Sequence, residues 1–114
     1  NHEKNRLSFA IRYFGIRIFE SNLPNPTKRS WQGIQIRPTG GSTINSDQTY
    51  ASGSRFKNVV IKNAAKGIYV FGTGIHISYV DFLDNEFGVE IRSSLNVVLD
   101  NNRFIGNNYG IYTE

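Results

Sequence analysis

The sequence predicts an all-β protein whose short strands wind into a solenoid of stacked repeats. A glycine followed by an apolar residue recurs at a nearly constant interval, and the apolar residues between these glycines come in pairs separated by one residue. A period of about 20 to 50 residues indicates a repeat architecture. Because one such unit is too small to bury its own apolar face, neighbouring units must stack.

The repeat is clearest from Arg55 to Glu114. The glycines Gly67, Gly88 and Gly110 are almost evenly spaced, and the second interval is longer than the first by a single position. Large apolar residues recur six positions before each glycine and directly after it. They predict two buried stacks, one of Ile61, Phe82 and Phe104 and one of Ile68, Val89 and Ile111.

The apolar pairs are typical of short strands with one face inward. A pair such as Ile75 and Ile77 is too brief for an amphipathic helix. Asn and Gly fill the gaps between pairs, and both tolerate the left-handed backbone that sharp corners require. Equivalent strands should therefore stack in parallel, at 67–71, 88–92 and 110–113, with the pairs 75–77 and 97–99 stacked likewise.

The run from Asn96 to Ile111, Asn-Val-Val-Leu-Asp-Asn-Asn-Arg-Phe-Ile-Gly-Asn-Asn-Tyr-Gly-Ile, resembles a known repeat. It is similar to the right-handed parallel β-helix repeat of bacterial secreted and surface proteins, the pectate-lyase-like solenoids. The resemblance implies a right-handed, single-stranded parallel β-helix of about four to five coils of 21–22 residues. This scaffold carries lyases, hydrolases, epimerases, phage tailspikes and inert stalks, so the resemblance leaves the function open.

The whole chain, 1–114, is predicted to be one β-helix segment of a longer protein, because it begins at Asn1 and ends inside a strand. We expect a loose lead-in at 1–6, irregular first coils at 7–37 and regular coils at 54–114. Gly33 and Gly67 are further apart than one regular coil requires. The excess falls at 38–53, a polar loop insertion that should project from the solenoid.

Two registers compete for the first coil. If Gly15 is equivalent to Gly33, that coil is shorter than any of the later ones and leaves little room for its other strands. If Ile16 and Ile18 instead form the second strand of a coil, only four extra residues are needed, and the Pro-containing stretch 22–26 can hold them. We prefer the second register. Trp31, which precedes Gly33, is predicted to be a core or loop-packing aromatic rather than a sugar-stacking one.

Composition narrows the functional classes. The chain contains no Cys, so it has no disulfide framework and no thiolate metal site. It contains no apolar run long enough to span a membrane. The net charge is +4, but the basic residues are spread along the chain, which argues against nucleic-acid binding. We expect no cofactor and no metal.

The strands that begin at the repeat glycines present two outward columns. One is Gln35, Tyr69, Glu90 and Tyr112, and the other is Arg37, Phe71, Arg92 and Glu114. In the enzymes that the chain resembles, the corresponding sheet commonly lines the substrate groove. Aromatic faces beside hydrogen-bonding groups suit sugar rings, and the arginines would favour acidic sugars. The alternative is ordinary cross-strand pairing of aromatic residues. The candidate ligand-binding residues are Gln35, Arg37, Tyr69, Phe71, Glu90, Arg92 and Tyr112.

Catalysis has less support in the sequence, and we assign no catalytic residue. Only Glu90 and Glu114 stand on the candidate face, and the Asp-Pro-His motif of the related epimerases is missing. His76 is predicted to be a lone outward surface residue. The corner asparagines 63, 85, 101, 102, 107 and 108 are predicted to be structural, hydrogen-bonding from coil to coil.

These observations favour a non-catalytic structural or carbohydrate-binding module of a larger secreted or cell-surface protein, and the resemblance indicates a bacterial source. The alternative is a segment of a polysaccharide-active enzyme or a tailspike whose catalytic coils lie outside these residues. The expected partners are a polysaccharide and, at both ends, further coils or a partner chain that covers the exposed strand edges.

Overall fold

A computed structural model describes the backbone of residues 7–13 and 16–114 and the side chains from residue 16 onward. The strands are β1 (Leu7–Tyr13), β2 (Ile16–Ser21), β3 (Trp31–Ile36), β4 (Ser42–Ile44), β5 (Tyr50–Gly53), β6 (Arg55–Lys62), β7 (Ala64–Phe71), β8 (Ile75–Leu83), β9 (Phe87–Arg92), β10 (Val97–Asp100), β11 (Arg103–Ile105) and β12 (Tyr109–Thr113). A 3₁₀ turn covers Pro38–Gly40, and no α-helix occurs in the described residues.

Ten of these strands form two sheets that share one core. Sheet A has the order β1-β2-β6-β8-β10, with β11 also paired to β8, and sheet B has the order β12-β9-β7-β3. In sheet B, Ile68 lies opposite Val89, and Val89 lies opposite Ile111. In sheet A, Val97 lies opposite Ile75. The predicted parallel, in-register stacking is therefore confirmed.

The core contains the predicted stacks. Ile61, Phe82, Ile68 and Val89 are fully buried. The ring of Phe104 stacks on that of Phe82, with centroids 4.8 Å apart and planes 6° from parallel. Ile111 continues its column, but the expectation that it is buried was wrong: it is 49% exposed, because β12 is the outer strand of sheet B.

Trp31 belongs to the same core, as predicted. It is 5% exposed, and its indole Nε1 donates a hydrogen bond to the carbonyl of Lys62 at 2.8 Å. Because its ring is covered by protein, Trp31 presents no face for stacking on a sugar.

The repeat glycines are required by close approach between successive repeats. A Cβ on Gly67 would lie 2.5 Å from the carbonyl oxygen of Gly88, and a Cβ on Gly88 would lie 2.6 Å from that of Gly110. The Cβ of Gly67 would also meet the buried side chains of Ile61 and Phe82, so this position faces the core. Ile68 faces the core as well. The alternation of inward and outward residues is therefore broken at each glycine.

Corners recur at fixed positions with a left-handed backbone. Asn58, Tyr79 and Asn101 occupy one such column, with φ between 54° and 58°. A second column contains Asn63, Asp84 and Gly106. Asn and Gly tolerate this conformation, whereas Tyr rarely adopts it.

Asparagine side chains join successive repeats at the corners. The buried Asn85 accepts a hydrogen bond from the backbone N–H of Ala64 and donates to the carbonyl of Ile61. It also donates to the side-chain oxygen of Asn107, in the next repeat, at 2.9 Å. Asn102 bridges Val80 and Ile77 in the same manner. The predicted bonding from coil to coil is confirmed for Asn85, Asn102 and Asn107, whereas the side chain of Asn101 donates to the adjacent Asp100.

The first repeats differ from the preferred register. The preferred register placed Ile18 opposite Phe56, but strand β2 pairs with β6 so that Ile18 lies opposite Val60 and Phe19 opposite Ile61. The stretch from Phe19 to Ile34 is much longer than the equivalent stretch from Ile61 to Ile68, and the excess is twice the four residues expected. Placing Ile16 and Ile18 opposite the second strand was therefore wrong. Gly15 and the 1–6 lead-in lie outside the described residues. Strand β1, at the start of the irregular first coils, pairs antiparallel with β2.

The 38–53 insertion contains an antiparallel hairpin, β4–β5, that lies against β8. The N–H of Ser42 donates to the carbonyl of Gly74 at 2.9 Å, and the N–H of His76 donates to the Ser42 hydroxyl at 3.2 Å. The ring of Tyr50 meets that of His76 edge-on. The expectations of a projecting loop and of a solitary His76 were wrong, because the hairpin satisfies backbone groups of the neighbouring strand.

Candidate functional site

The outer face of sheet B, which we call the sheet B surface, brings the predicted site residues together. Gln35, Tyr69, Glu90 and Tyr112 form one continuous column across the four strands. Phe71 lies beside Arg92 in the next column. Arg37 directly follows β3, and the N–H of Glu114 donates to the carbonyl of Ile91, which continues the ladder beyond β12. The two columns are arranged as the repeat spacing predicted.

Glu90 is the exception to the expected exposure. It belongs to the outward column, but it is only 2% exposed. One carboxylate oxygen lies 3.3 Å from the Lys66 Nζ, and the other accepts a hydrogen bond from the Arg92 Nε at 2.7 Å. A buried carboxylate requires such partners, because desolvation of an unpaired charge is costly. The expectation of a solvent-facing Glu90 was wrong.

Arg92 is held by two carboxylates. Besides its bond to Glu90, its Nη2 lies 2.6 Å from Oε1 of Glu114. The hydrogen bond with Glu90, together with the charges of Glu114 and Glu90, raises the pKa of Arg92 above its ordinary value. Lys66 also lies over the Tyr69 ring, 4.4 Å from the centroid. Both cations at the centre of the surface therefore already have anionic or aromatic partners.

Aromatic side chains cover the part of the surface next to Glu90. Phe87 and Tyr109 stack with centroids 4.8 Å apart, and Tyr112 meets Phe87 edge-on at 5.5 Å. Tyr109, Phe71 and Tyr112 remain 51%, 40% and 38% exposed. Three aromatic side chains thus offer open area to a partner on one sheet face.

A shallow depression of about 430 Å³ adjoins these aromatics on the β3 side. Gln32, Gln35, Lys66 and Tyr69 contribute to its walls. The guanidinium of Arg37 donates a hydrogen bond to the side-chain oxygen of Gln35 at 3.3 Å, and this bond orients the Gln35 amide. The depression combines amide donors and acceptors with one phenol ring, a composition that suits hydroxyl-rich ligands.

Lys66, Phe87 and Tyr109 also belong to the sheet B surface, although they were not among the residues predicted from the sequence. Strict alternation from Tyr69 or Tyr112 would turn these residues inward, but the irregularity at each glycine turns them outward. A signal was present in the sequence. Non-aliphatic residues directly precede all four repeat glycines, namely Gln32, Lys66, Phe87 and Tyr109.

Groups for bond-breaking chemistry are sparse on this surface. Glu90 and Glu114 both bind Arg92. Across the described residues, no three His, Cys, Asp or Glu side chains converge on a possible metal position. In the same part of the chain, no helix is long and apolar enough to cross a membrane. The arrangement is equipped for contact with a ligand through rings, amides and paired charges.

Parallel stacked repeats, glycines at close approach and corner asparagine bonds define a β-repeat protein in which each unit packs on the next. Residues 14–114 match the family model of the right-handed beta helix region. The chain belongs to the right-handed β-helix family. Searches of curated proteins and of solved structures returned no match.

Proposed function

We propose that this chain is a non-catalytic, carbohydrate-binding β-helix module of a larger secreted or cell-surface bacterial protein. In this proposal the repeats close into a right-handed, single-stranded solenoid of about four to five coils, flanked at both ends by further coils or by a partner chain. Membership of the right-handed β-helix family supports the scaffold role. The sheet B surface supports the binding role.

The observation that carries the proposal is the open aromatic area beside a hydrogen-bonding depression. Tyr112 and Tyr109 expose ring area at the β12 side of the surface, and Tyr69 and Gln35 border the depression at the β3 side. Equivalent strands lie about 4.8 Å apart, so the surface is a ladder of contacts for an extended chain. Aromatic rings bind the apolar faces of sugars, and amides bind their hydroxyls.

The charges of the surface favour a neutral glycan. Glu90 neutralises Lys66 and shares Arg92 with Glu114. An acidic sugar that paired with Arg92 would have to displace a carboxylate already within hydrogen-bond distance, and it would meet two carboxylates there. Our sequence-based expectation that the arginines favour acidic sugars therefore lacks support at Arg92.

The test is a glycan array of neutral and acidic polysaccharides, followed by calorimetry with the best binder. Tyr69→Ala and Tyr112→Ala should each weaken binding by about 1 kcal/mol, roughly fivefold, since each removes a ring contact. Tyr79→Ala is the matched control. Tyr79 is an exposed tyrosine on β8 of sheet A, so its removal should leave affinity unchanged.

Three outcomes would contradict the proposal. Absence of binding to every glycan would leave a spacer role for the module. Wild-type affinity in both the Tyr69 and the Tyr112 variant would show that the glycan binds elsewhere on the chain. Cleavage of a polysaccharide by this chain would show that it is catalytic and would direct attention to Glu90 and Glu114.

A further inference from the structure

A second depression, which we call the hairpin pocket, lies between the β4–β5 hairpin and the outer face of sheet A. Its volume is about 530 Å³. Asp47 and Tyr50 line it from the hairpin, and Arg55, His76, Val98 and Asp100 line it from the sheet. The pocket exists because the insertion folds back onto the repeats, so it is a feature of this chain rather than of the repeat.

The wall of the hairpin pocket is held in place by directional contacts. Ser42 is bonded to Gly74 through its N–H and to the N–H of His76 through its hydroxyl. The rings of Tyr50 and His76 meet edge-on with centroids 6.1 Å apart, and the guanidinium of Arg55 lies 4.5 Å from the Tyr50 centroid. These contacts join the hairpin to two neighbouring strands and pre-form the pocket, which lowers the ordering cost of binding.

Among the described residues beside the hairpin pocket, a buried atom of His76 lacks a hydrogen-bond partner and the exposed guanidinium of Arg55 lacks a carboxylate partner. The Nδ1 of His76 is buried and makes no hydrogen bond within the described structure. Among the same residues, no carboxylate lies within ion-pair distance of the Arg55 guanidinium. A buried polar atom without a partner is destabilising, and an ordered ligand or water is the usual remedy.

The remaining groups define the ligand chemistry. Asp47 and Asp100 supply carboxylate acceptors, Arg55 supplies donors, and Val98 contributes apolar surface. Hydrogen bonds from the hydroxyl and the N–H of Thr49 lower the pKa of Asp47. Because the Arg55 cation and the two carboxylates line the same pocket, an anionic ligand would be repelled by the carboxylates and a cationic ligand by Arg55. An uncharged ligand that both donates and accepts hydrogen bonds is compatible with all three groups.

We propose that the hairpin pocket binds one neutral saccharide unit, with hydroxyl groups donating to Asp100, Asp47 and the His76 Nδ1 and accepting from Arg55. The volume is within the range of about 300 to 1,000 Å³ that is usual for small-ligand sites. The pocket is built on sheet A and the insertion, so this site is independent of the sheet B surface. An experiment can therefore refute the proposal for one site and leave the proposal for the other unaffected.

The experiment is an amide NMR titration of the isotope-labelled chain with methyl glucopyranoside, methyl mannopyranoside and methyl galactopyranoside. At least one should shift amide signals at 47–50, 55, 76 and 98–100, with a Kd on the order of millimolar, as expected for a ligand with few contacts. No shifts at these positions with any of the three, at ligand concentrations well above that Kd, would overturn the proposal.

Substitutions then test the assigned groups. Asp100→Asn, Arg55→Gln and His76→Phe should each weaken binding by about fivefold, since each removes one hydrogen-bonding function. The His76→Phe substitution keeps an aromatic ring in contact with the ring of Tyr50. Lys57→Gln is the matched control for Arg55→Gln, since Lys57 is on the same strand and outside the pocket, and it should have no effect.

Further measurements distinguish a loss of binding caused by unfolding from one caused by the loss of an assigned contact. Thermal melts should show each variant folded at the titration temperature, and Asp100→Asn, at an exposed position, tests the site even if His76→Phe unfolds. Tyr112→Ala should leave monosaccharide binding unchanged, whatever its effect on glycan binding at sheet B. Wild-type affinity in the Asp100 and Arg55 variants would refute the site.

Discussion

The repeats after Arg55 and the chain before it follow the same strand register but differ in how their corners are built. After Arg55 the repeat glycines are almost evenly spaced, and the corners between strands are short. Before it, a long corner separates β2 from β3, and a whole hairpin separates β3 from β6. Strands β2 and β3 nevertheless pair in parallel with strands of the later repeats, as Phe19 does with Ile61 and Ile36 with Val70. Register is therefore set by inward side chains and glycine contacts, whereas corners absorb differences in length.

The largest expected effect compares one core column in the two regions. Phe82→Ala should lower the free energy of unfolding by about 3 to 5 kcal/mol, because its ring is fully buried and stacked on Phe104. Phe19→Ala, in the same column but half-buried, should cost clearly less. Urea unfolding measures both. Equal losses would mean that the first repeat is packed as tightly as the later ones.

A comparison of two glycines tests the close approach between successive repeats at Gly67. Gly67→Ala should lower the free energy of unfolding by about 1 to 3 kcal/mol, because its Cβ would collide with the carbonyl of Gly88. Gly40→Ala, in the insertion, meets no atom within 4 Å and should change stability by less than about 0.5 kcal/mol. Thermal melts of the two variants decide. A tolerated alanine at Gly67 would disprove the close contact between repeats.

The smallest expected effect concerns the corners of the regular repeats themselves. Tyr79 has φ of 54° where the equivalent residues are Asn58 and Asn101, and it is 53% exposed. Tyr79→Asn should therefore raise stability by about 1 kcal/mol, since Asn tolerates the left-handed region and little burial is lost. The reverse exchange, Asn101→Tyr, should destabilise by a similar amount. A loss of stability in Tyr79→Asn would indicate that the ring makes a contact worth more than the strain.

The sequence was sufficient for the fold wherever the repeat length was constant. Glycine spacing alone predicted the pairing of Ile68 with Val89 and the stacking of Phe82 on Phe104. It was insufficient at β2, because nothing in the composition of residues 22–30 specifies how long a corner they form. The length of that corner depends on tertiary contacts, such as the bond from the Ser30 N–H to the carbonyl of Asn63.

The candidate surface was predictable in outline only. The columns through Tyr69 and Phe71 followed from strand alternation. The burial of Glu90 did not, since it depends on Lys66, which strict alternation assigns to the core. The hairpin pocket was also beyond the sequence. Tyr50 and His76 are distant in the chain, and no local pattern indicates that a polar insertion folds back onto β8.

Because the hairpin is closed at its base, the insertion can be removed or replaced as one unit. The N–H of Ser54 donates to the carbonyl of Gly41 at 3.2 Å, so the two ends of the hairpin are already neighbours. Excision of the segment 42–53 would shorten the interval from Gly33 to Gly67 until it equals the interval from Gly88 to Gly110. Joining Gly41 directly to Ser54 therefore restores an ordinary repeat, and a different loop with close ends could be grafted at the same junction. The repeat scaffold and its hairpin insertion can in this sense change independently of each other.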